Sequence, residues 1–259
     1  MLTTPPTWRV VDFISDLHLQ PGEPLTFLAW QTYMQNTQAD AVFILGDLFE
    51  VWVGDDVLND TSAFGRSYEA QCAEVLREAS TRLRLFFLHG NRDFLIGQQF
   101  AKACNIEILP DPCVLDLQGT RWVLSHGDAL CLADRDYQQF RNTVRTADWQ
   151  ASFLGRPLTE RRSIARALRE QSQARKQAAS DYADVDAHAT KELLKLAGTN
   201  HLIHGHTHRP ADHFIQPGLH RHVLSDWDLS ATPVRAEVFR LSVATDSTIA
   251  VSRLDPSEV

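Results

Sequence analysis

Five short apolar runs, each ending in a knot of polar residues, restrict what this chain can fold into more than any other feature. They are RVVDFIS (9–15), AVFILG (41–46), RLFFLH (84–89), RWVLSH (121–126) and HLIHG (201–205). Runs this short, rich in β-branched and aromatic side chains and closed by turn residues, suit buried strands. Between the early ones lie PLTFLAWQTYMQN (24–36) and SYEAQCAEVLREAS (67–80), whose composition suits helices. Strand, helix, strand alternation predicts an α/β layered architecture. The tail segments RAEVFRLSV (235–243) and TIAVSRL (248–254), joined by ATDS, predict a closing hairpin.

With 259 residues, 44% of them hydrophobic, the chain can build a sizeable core as one large domain or two small ones. A formal net charge of −8 argues against a general nucleic-acid binder. Cys72, Cys104, Cys113 and Cys131 form no C-x-x-C pair and are expected to be reduced. The start, MLTTPPTWRVVDFISD, lacks the basic and apolar blocks of a secretion signal. No apolar run approaches the ~18 residues of a spanning helix. A cytoplasmic location is expected, with contact to a membrane from outside left open.

One region stands apart. Residues 135–176 hold ten Lys/Arg against four acids, a local balance of +6 inside a chain of −8. Phe140/Val144, Trp149/Phe153 and Ile164/Leu168 recur there at i,i+4 spacing, which predicts helices inserted on the α/β core.

The polar knots are SDLHL (15–19), GDLFE (46–50), GNRDF (90–94), SHGD (125–128) and GHTH (205–208). In α/β sheets the crevice beyond the carboxyl ends of the strands is the usual ligand site. Convergence there would assemble Asp16, His18, Asp47, Asn91, His126, His206 and His208. Carboxylate, amide oxygen and imidazole together suit Mn²⁺, Fe²⁺, Zn²⁺ or a mixed pair. Asp16-x-His18 and His206-x-His208 have alternate-residue spacing, so a local turn must aim both side chains of each pair together. Seven ligands exceed what one metal needs, and two metals sharing one carboxylate suit phosphoryl hydrolysis. Singly, each piece has a blander reading: Asp47 as a cap, Asn91 as a turn residue, His126 as a structural histidine. HGHTH, with three histidines in five residues, is the strongest fragment.

The order D-x-H, G-D, G-N, H-G, G-H-x-H resembles the calcineurin-like metallophosphoesterase family across most of the chain. The resemblance implies an α/β fold of two packed mixed β-sheets flanked by helices. It implies one domain over 8–259, interrupted by a helical insertion, or cap, at about 132–180. It also implies that Asp16, His18, Asp47 and His208 hold one metal. Asp47 would bridge to a second metal held by Asn91, His126 and His206.

The family usually has a histidine after that asparagine; here it is Arg92. Arginine, with a pKa above about 12, cannot readily donate a proton but can clamp phosphate oxygens. The swap fits a leaving group that departs as an anion, such as a nucleotide phosphate from a pyrophosphate. Pairing of Arg92 with Asp93 or another acid remains the alternative. SDLHL, GDLFEVWVGDD, HGNRDF, SHGDALC and IHGHTHRP together resemble one branch, the UDP-2,3-diacylglucosamine hydrolases of lipid A biosynthesis. The match includes Trp52 and Asp55-Asp56, which no metal site demands.

That branch implies two Mn²⁺ ions, water attack on the α-phosphorus, and UMP and 2,3-diacylglucosamine 1-phosphate as products. Asp47, Asn91, Arg92 and His206 would be catalytic; Asn91, Arg92, Asp134, Ser172, Lys176 and His206 would contact substrate. Where the branch tends to have asparagine and lysine this chain has Lys176 and Ala179, which weakens the glucosamine contacts. A UDP-linked diacyl glucosamine lipid would be the partner. The basic, apolar insertion would touch the cytoplasmic face of the inner membrane peripherally. Trp52 and Phe94 suit either pocket wall or core, and His89, His201 and His204 are expected to be structural. Two alternatives stand: a soluble metallophosphoesterase for nucleotides or simple phosphodiesters, and a metal-bound scaffold without turnover.

Overall fold

The computed structural model describes residues 1–60, 66–178 and 184–259, and of 171–178 the backbone alone. In chain order the strands are β1 (Leu2–Thr3), β2 (Val10–Ile14), β3 (Ala41–Leu45), β4 (Arg84–Leu88), β5 (Glu107–Ile108) and β6 (Cys113–Leu117). They continue as β7 (Thr120–Ser125), β8 (His201–His204), β9 (Ala211–Gln216), β10 (Leu219–Val223), β11 (Val238–Val243) and β12 (Ile249–Leu254). The helices are α1 (Pro24–Asn36), α2 (Tyr68–Ala79), α3 (Gln98–Cys104), α4 (Arg135–Val144), α5 (Ala147–Leu154), α6 (Leu158–Ala178) and α7 (Ala187–Ala197).

The strands form two six-stranded sheets, one in the order β1-β6-β7-β8-β10-β9 and the other β12-β11-β2-β3-β4-β5. Each mixes parallel and antiparallel pairs: β2, β3, β4 and β5 run parallel, while the β11–β12 hairpin adds antiparallel beside β2. The five apolar runs are β2, β3, β4, β7 and β8, and the two helix-compatible segments are α1 and α2. Ser67 caps α2, its hydroxyl accepting from the Ala70 amide.

Strand periodicity sets the layers, because successive side chains point to opposite faces. Ala41, Phe43 and Leu45 join Val11, Phe13, Phe86 and Leu88 in the core between the sheets. Val42 and Ile44 point the other way, into a core shared with α1, α2 and α3. Phe13, Phe43 and Phe86 lie in one register and stack with centroids 5.2 and 4.5 Å apart. Each such aromatic pair adds about 0.5–1.5 kcal/mol beyond the area it buries. On the outer face of the sheet that holds β7 and β8, Leu194 of α7 covers Val123 and Leu202. Asp12 is the exception in β2. Its buried carboxylate accepts from Arg240 Nε at 2.7 Å, Thr37 Oγ1 at 2.9 Å and Tyr33 Oη at 3.0 Å, so no charge is left unpaired.

The basic region forms α4, α5 and α6. Trp149 stacks on Phe153 at 4.8 Å, and both join the core that also holds α1 to α3. Arg161 is 3% exposed and donates to the Val53 carbonyl and to Asp56. Asp55 caps α3 by accepting from the amides of Gly97, Gln99 and Phe100. Trp52 lies in the core, 4.7 Å from Phe49 and 5.0 Å from Phe100 between ring centroids. The residues around GDLFE that no metal site demands therefore serve packing and the anchoring of α6.

Candidate metal centre

The strands β2, β3, β4, β7 and β8 all end at one end of the sandwich, where the five polar knots meet. His126 Nδ1, just past β7, lies 2.8 Å from the Leu45 carbonyl at the end of β3. Donating there points Nε2 at the centre, the nitrogen that a cation would take in place of a proton. Asn91 Oδ1 lies 3.0 Å from His126 Nε2 and 2.8 Å from His206 Nδ1. His18 Nε2 and His208 Nε2 approach to 3.4 Å. Between these groups sit two buried carboxylates, Asp16 and Asp47, with Asp47 Oδ2 4.0 Å from His18 Nε2 and 3.7 Å from His126 Nε2.

Backbone conformation aims these groups. Asp16, His18, Asp47, His206 and His208 all have φ between 49° and 64°. They are five of the eight non-glycine residues with positive φ among the described residues. The left-handed region costs roughly 1–2 kcal/mol per residue. It also turns two alternate residues to one side, as the D-x-H and H-x-H spacings require. Two glycines make room: a Cβ on Gly90 would lie 2.3 Å from the Asp47 amide nitrogen, and one on Gly205 would lie 2.2 Å from Asp16 Oδ2.

The donor set fits divalent cations. One ligand atom each from Asp16, His18 and His208, and from Asp16, Asp47 and His126, lie mutually within 4.8 Å. Asp16 Oδ2 accepts from Ser15 Oγ at 2.5 Å and the His206 amide at 2.9 Å. Asp16 Oδ1 is buried without a hydrogen bond, with His208 Nε2 3.3 Å away. An orphaned carboxylate oxygen facing imidazole nitrogens is what a cation satisfies. Burial alone would raise the Asp16 carboxyl, but His208, His126 and His18 hold it well below the usual range. Burial would lower His126, yet the Asp47 and Asp16 carboxylates lift it to about 9. Burial and neighbouring His126 push His206 down to about 3.

Surrounding groups that sequence reasoning left unassigned fix the ligands. Glu50 Oε2 lies 2.8 Å from His18 Nδ1, a carboxylate–histidine pairing of the kind that orients metal ligands. Glu50 Oε1 lies 2.9 Å from Arg169 Nε and 3.8 Å from Arg92 Nη1. Asp93 does not pair with Arg92. Its buried carboxylate accepts from the amides of Gly90 (2.9 Å), Asp47 (3.3 Å) and Leu48 (2.7 Å), clamping the turn after β3 to the turn after β4. Asp128 accepts from Tyr137 and from Arg141 Nε at 2.8 Å, and the Tyr137 ring lies over His206 at 6.0 Å. GDLFE and GNRDF already contained Glu50 and Asp93, but nothing local told which neighbour each would grip.

A cleft of about 330 Å³ opens on the centre, lined among others by His18, Asp47, Asn91, Arg92, Arg169, His206 and His208. Arg92 is mostly buried, and its Nε has no hydrogen-bond partner among the described residues. Asp134 lies outside this lining; it is exposed and caps α4, accepting from the Tyr137 amide at 3.0 Å. The Ser172 and Lys176 side chains, and Ala179 entirely, lie outside the described residues. Phe94 packs beside Trp149 and under Arg145. His89 binds the Ile96 carbonyl, His204 the Gly205 carbonyl, and His201 stacks on Trp122 at 4.3 Å, so none of these three reaches the centre.

A family model described as calcineurin-like phosphoesterase matches residues 10–210. The UDP-2,3-diacylglucosamine hydrolase of Aromatoleum aromaticum is 45% identical over 229 residues, 86% of this chain and 91% of the relative. That of Ralstonia nicotianae is 44% identical over 89% of this chain and 88% of its own length. That of Stenotrophomonas maltophilia is 40% identical over 90% and 97%.

Proposed function

The chain belongs to the calcineurin-like phosphoesterases and, among them, to the UDP-2,3-diacylglucosamine hydrolase family; from that premise we propose how its centre works. It hydrolyses the pyrophosphate bond of UDP-2,3-diacylglucosamine by water attack on the α-phosphorus, giving UMP and 2,3-diacylglucosamine 1-phosphate. The observation that carries this reading is the convergence of Asp16, His18, Asp47, Asn91, His126, His206 and His208 around the unpartnered Asp16 Oδ1. Asp16, His18, Asp47 and His208 would hold one Mn²⁺, and Asp47, Asn91, His126 and His206 the other. The chemistry such a pair would supply there is activation of a water and stabilisation of charge on the phosphoryl oxygens.

The protein groups do the rest. Asp47 stays fixed between the two histidine sets, because Asp93 grips its own backbone amide and the Arg92 amide donates to Asp47 Oδ1 at 2.8 Å. A guanidinium is a fixed fork of donors, so Arg92 orients the pyrophosphate and leaves the departing phosphate to go as an anion. His206 and Asn91, which line the same cleft, contact the phosphoryl group as well. Asp134, Ser172 and Lys176 contact the glucosamine.

Among the described residues no helix is long and apolar enough to cross a membrane. The insertion at about 132–180 within the 8–259 domain takes the acyl chains and rests against the cytoplasmic face of the inner membrane. Support for that role comes from Leu132, Phe140, Leu154 and Leu168, each more than a third exposed beside arginines. The test is Mn²⁺-dependent release of UMP from UDP-2,3-diacylglucosamine in detergent micelles, with UDP-N-acetylglucosamine and simple phosphodiesters alongside. Release from the lipid alone is expected. Turnover of the simple esters but not the lipid would keep a two-metal phosphoesterase and discard the lipid substrate.

A further inference from the structure

The cleft has two flanks, and the pair His18/His208 divides them. The two rings meet at their Nε2 atoms, 3.4 Å apart. Behind His18 stand Glu50, Arg169 and Arg92, the flank joined to the insertion through α6. Behind His208, Nδ1 lies 3.6 Å from Asp226, which grips Arg235. That second flank is completed by Glu23, Thr26, Trp227 and Asp228 and, among the described residues, carries none of α4 to α6.

We propose that this second flank is the nucleoside subsite, taking the ribose and the pyrimidine of the substrate, with Arg235 and Glu23 as its specificity-determining residues. This rests on the functional reading above. A substrate with a lipid half and a nucleoside half, cut between them at the metals, must send the halves to different flanks. The insertion flank offers apolar surface and arginines, which suit acyl chains and phosphate. The Asp226 flank offers the polar side chains of Glu23, Asp228 and Arg235, with hydrogen-bonding capacity left unused.

Those atoms are specific. Arg235 is 42% exposed, and its Nε and Nη2 are held by Asp226 and Asp228 at 2.9–3.1 Å. Its Nη1 bonds no described residue and is free to donate to a carbonyl. The two carboxylates fix the guanidinium plane, so little freedom is lost when a ligand binds. Glu23 Oε2 lies 3.2 Å from Ser230 Oγ, tying the start of α1 to the loop that carries Asp228. Glu23 Oε1 bonds no described residue. Ribose hydroxyls donate to a carboxylate and pyrimidine carbonyls accept from a guanidinium, which matches this pair.

The two products separate the flanks. Inhibition of lipid hydrolysis by UMP and by 2,3-diacylglucosamine 1-phosphate is measured for the unaltered chain, Arg235→Gln and Glu23→Gln, at equal measured metal content. Each substitution is expected to weaken UMP by about tenfold or more while moving the lipid phosphate less than about twofold. With Glu23→Gln, 2′-deoxy-UMP and 3′-deoxy-UMP lose less than UMP, because the lost partner is a hydroxyl acceptor. Equal weakening of both products in both variants, or unchanged UMP inhibition, overturns the assignment. Should Arg235→Gln fail to fold, Glu23→Gln, on a different element, decides alone. No UMP release by the unaltered chain would sink the functional reading; release with unchanged UMP inhibition sinks the nucleoside subsite only.

Discussion

The backbone amide of Arg92 donates to Asp47 Oδ1 over 2.8 Å, so the residue whose guanidinium faces the cleft is tied through its main chain to the central carboxylate. Position 92 therefore has two separable jobs. Its amide fixes Asp47 whatever the side chain is, and its side chain meets the substrate.

Arg92→Ala is accordingly expected to lower turnover on the order of 10²–10³-fold without releasing metal, since the amide remains. Steady-state kinetics with metal analysis on the same samples checks this. A parallel fall in metal content would mean that the guanidinium organises the ligands instead.

Asp47→Ala removes the carboxylate shared between the two histidine sets. Turnover is expected to fall on the order of 10³-fold or more, with bound metal reduced and the far-ultraviolet circular dichroism unchanged. Substantial residual activity in a fully metal-loaded sample would dismiss Asp47 as the bridge.

Glu50→Gln leaves the volume of the side chain but removes its charge and one of its two oxygens, of which Oε2 lies 2.8 Å from His18 Nδ1 and Oε1 2.9 Å from Arg169 Nε. Loss of an orienting carboxylate typically costs 10–100-fold in metal affinity, and about that loss is expected here. Competition with a chelator reads it directly. Unchanged affinity would make Glu50 an anchor for Arg169 alone.

Away from the centre, His201 packs against Trp122, His220 and His222, with Asp212 and Arg253 closing the group behind His222. Burial, then the neighbouring His222 and His220, pushes His201 down to about 4. The unfolded chain therefore takes up this proton first as pH falls. The contribution is complete above the ordinary histidine pKa of about 6.5 and is lost as pH falls from there towards 4. Because the ring is half-buried, the discounted loss is on the order of 1 kcal/mol, or about 2–4 °C in melting temperature. Melting of His201→Gln should fall less steeply over that window than melting of the unaltered chain; parallel curves would exclude the stack as a source of acid lability.

Much of the fold was legible because its signals are local. The runs at 9–15, 41–46 and 84–89 are short, apolar and punctuated, and they became β2, β3 and β4 within a residue or two of those limits. The 24–36 segment became α1 over the same residues. The tail pairs as foreseen, although β11 also joins β2 and so extends the main sheet. The ligand candidates could be gathered for a similar reason: each stands immediately after a strand, and parallel strands deliver their ends to one place.

What the amino-acid order determined by itself was the succession of elements and the kinds of group at each strand end. Only the tertiary structure decided which atoms meet. Asp93 grips amides 44 to 46 positions away, Arg161 closes on Asp56 across 105 residues, and Arg235 sits beside a cleft whose other wall begins at residue 17. A hydrogen bond needs its partners within about 3 Å and aligned. That alignment comes from two sheets packing face to face and from five left-handed residues held in place by the packing, and no local pattern of residue types encodes either.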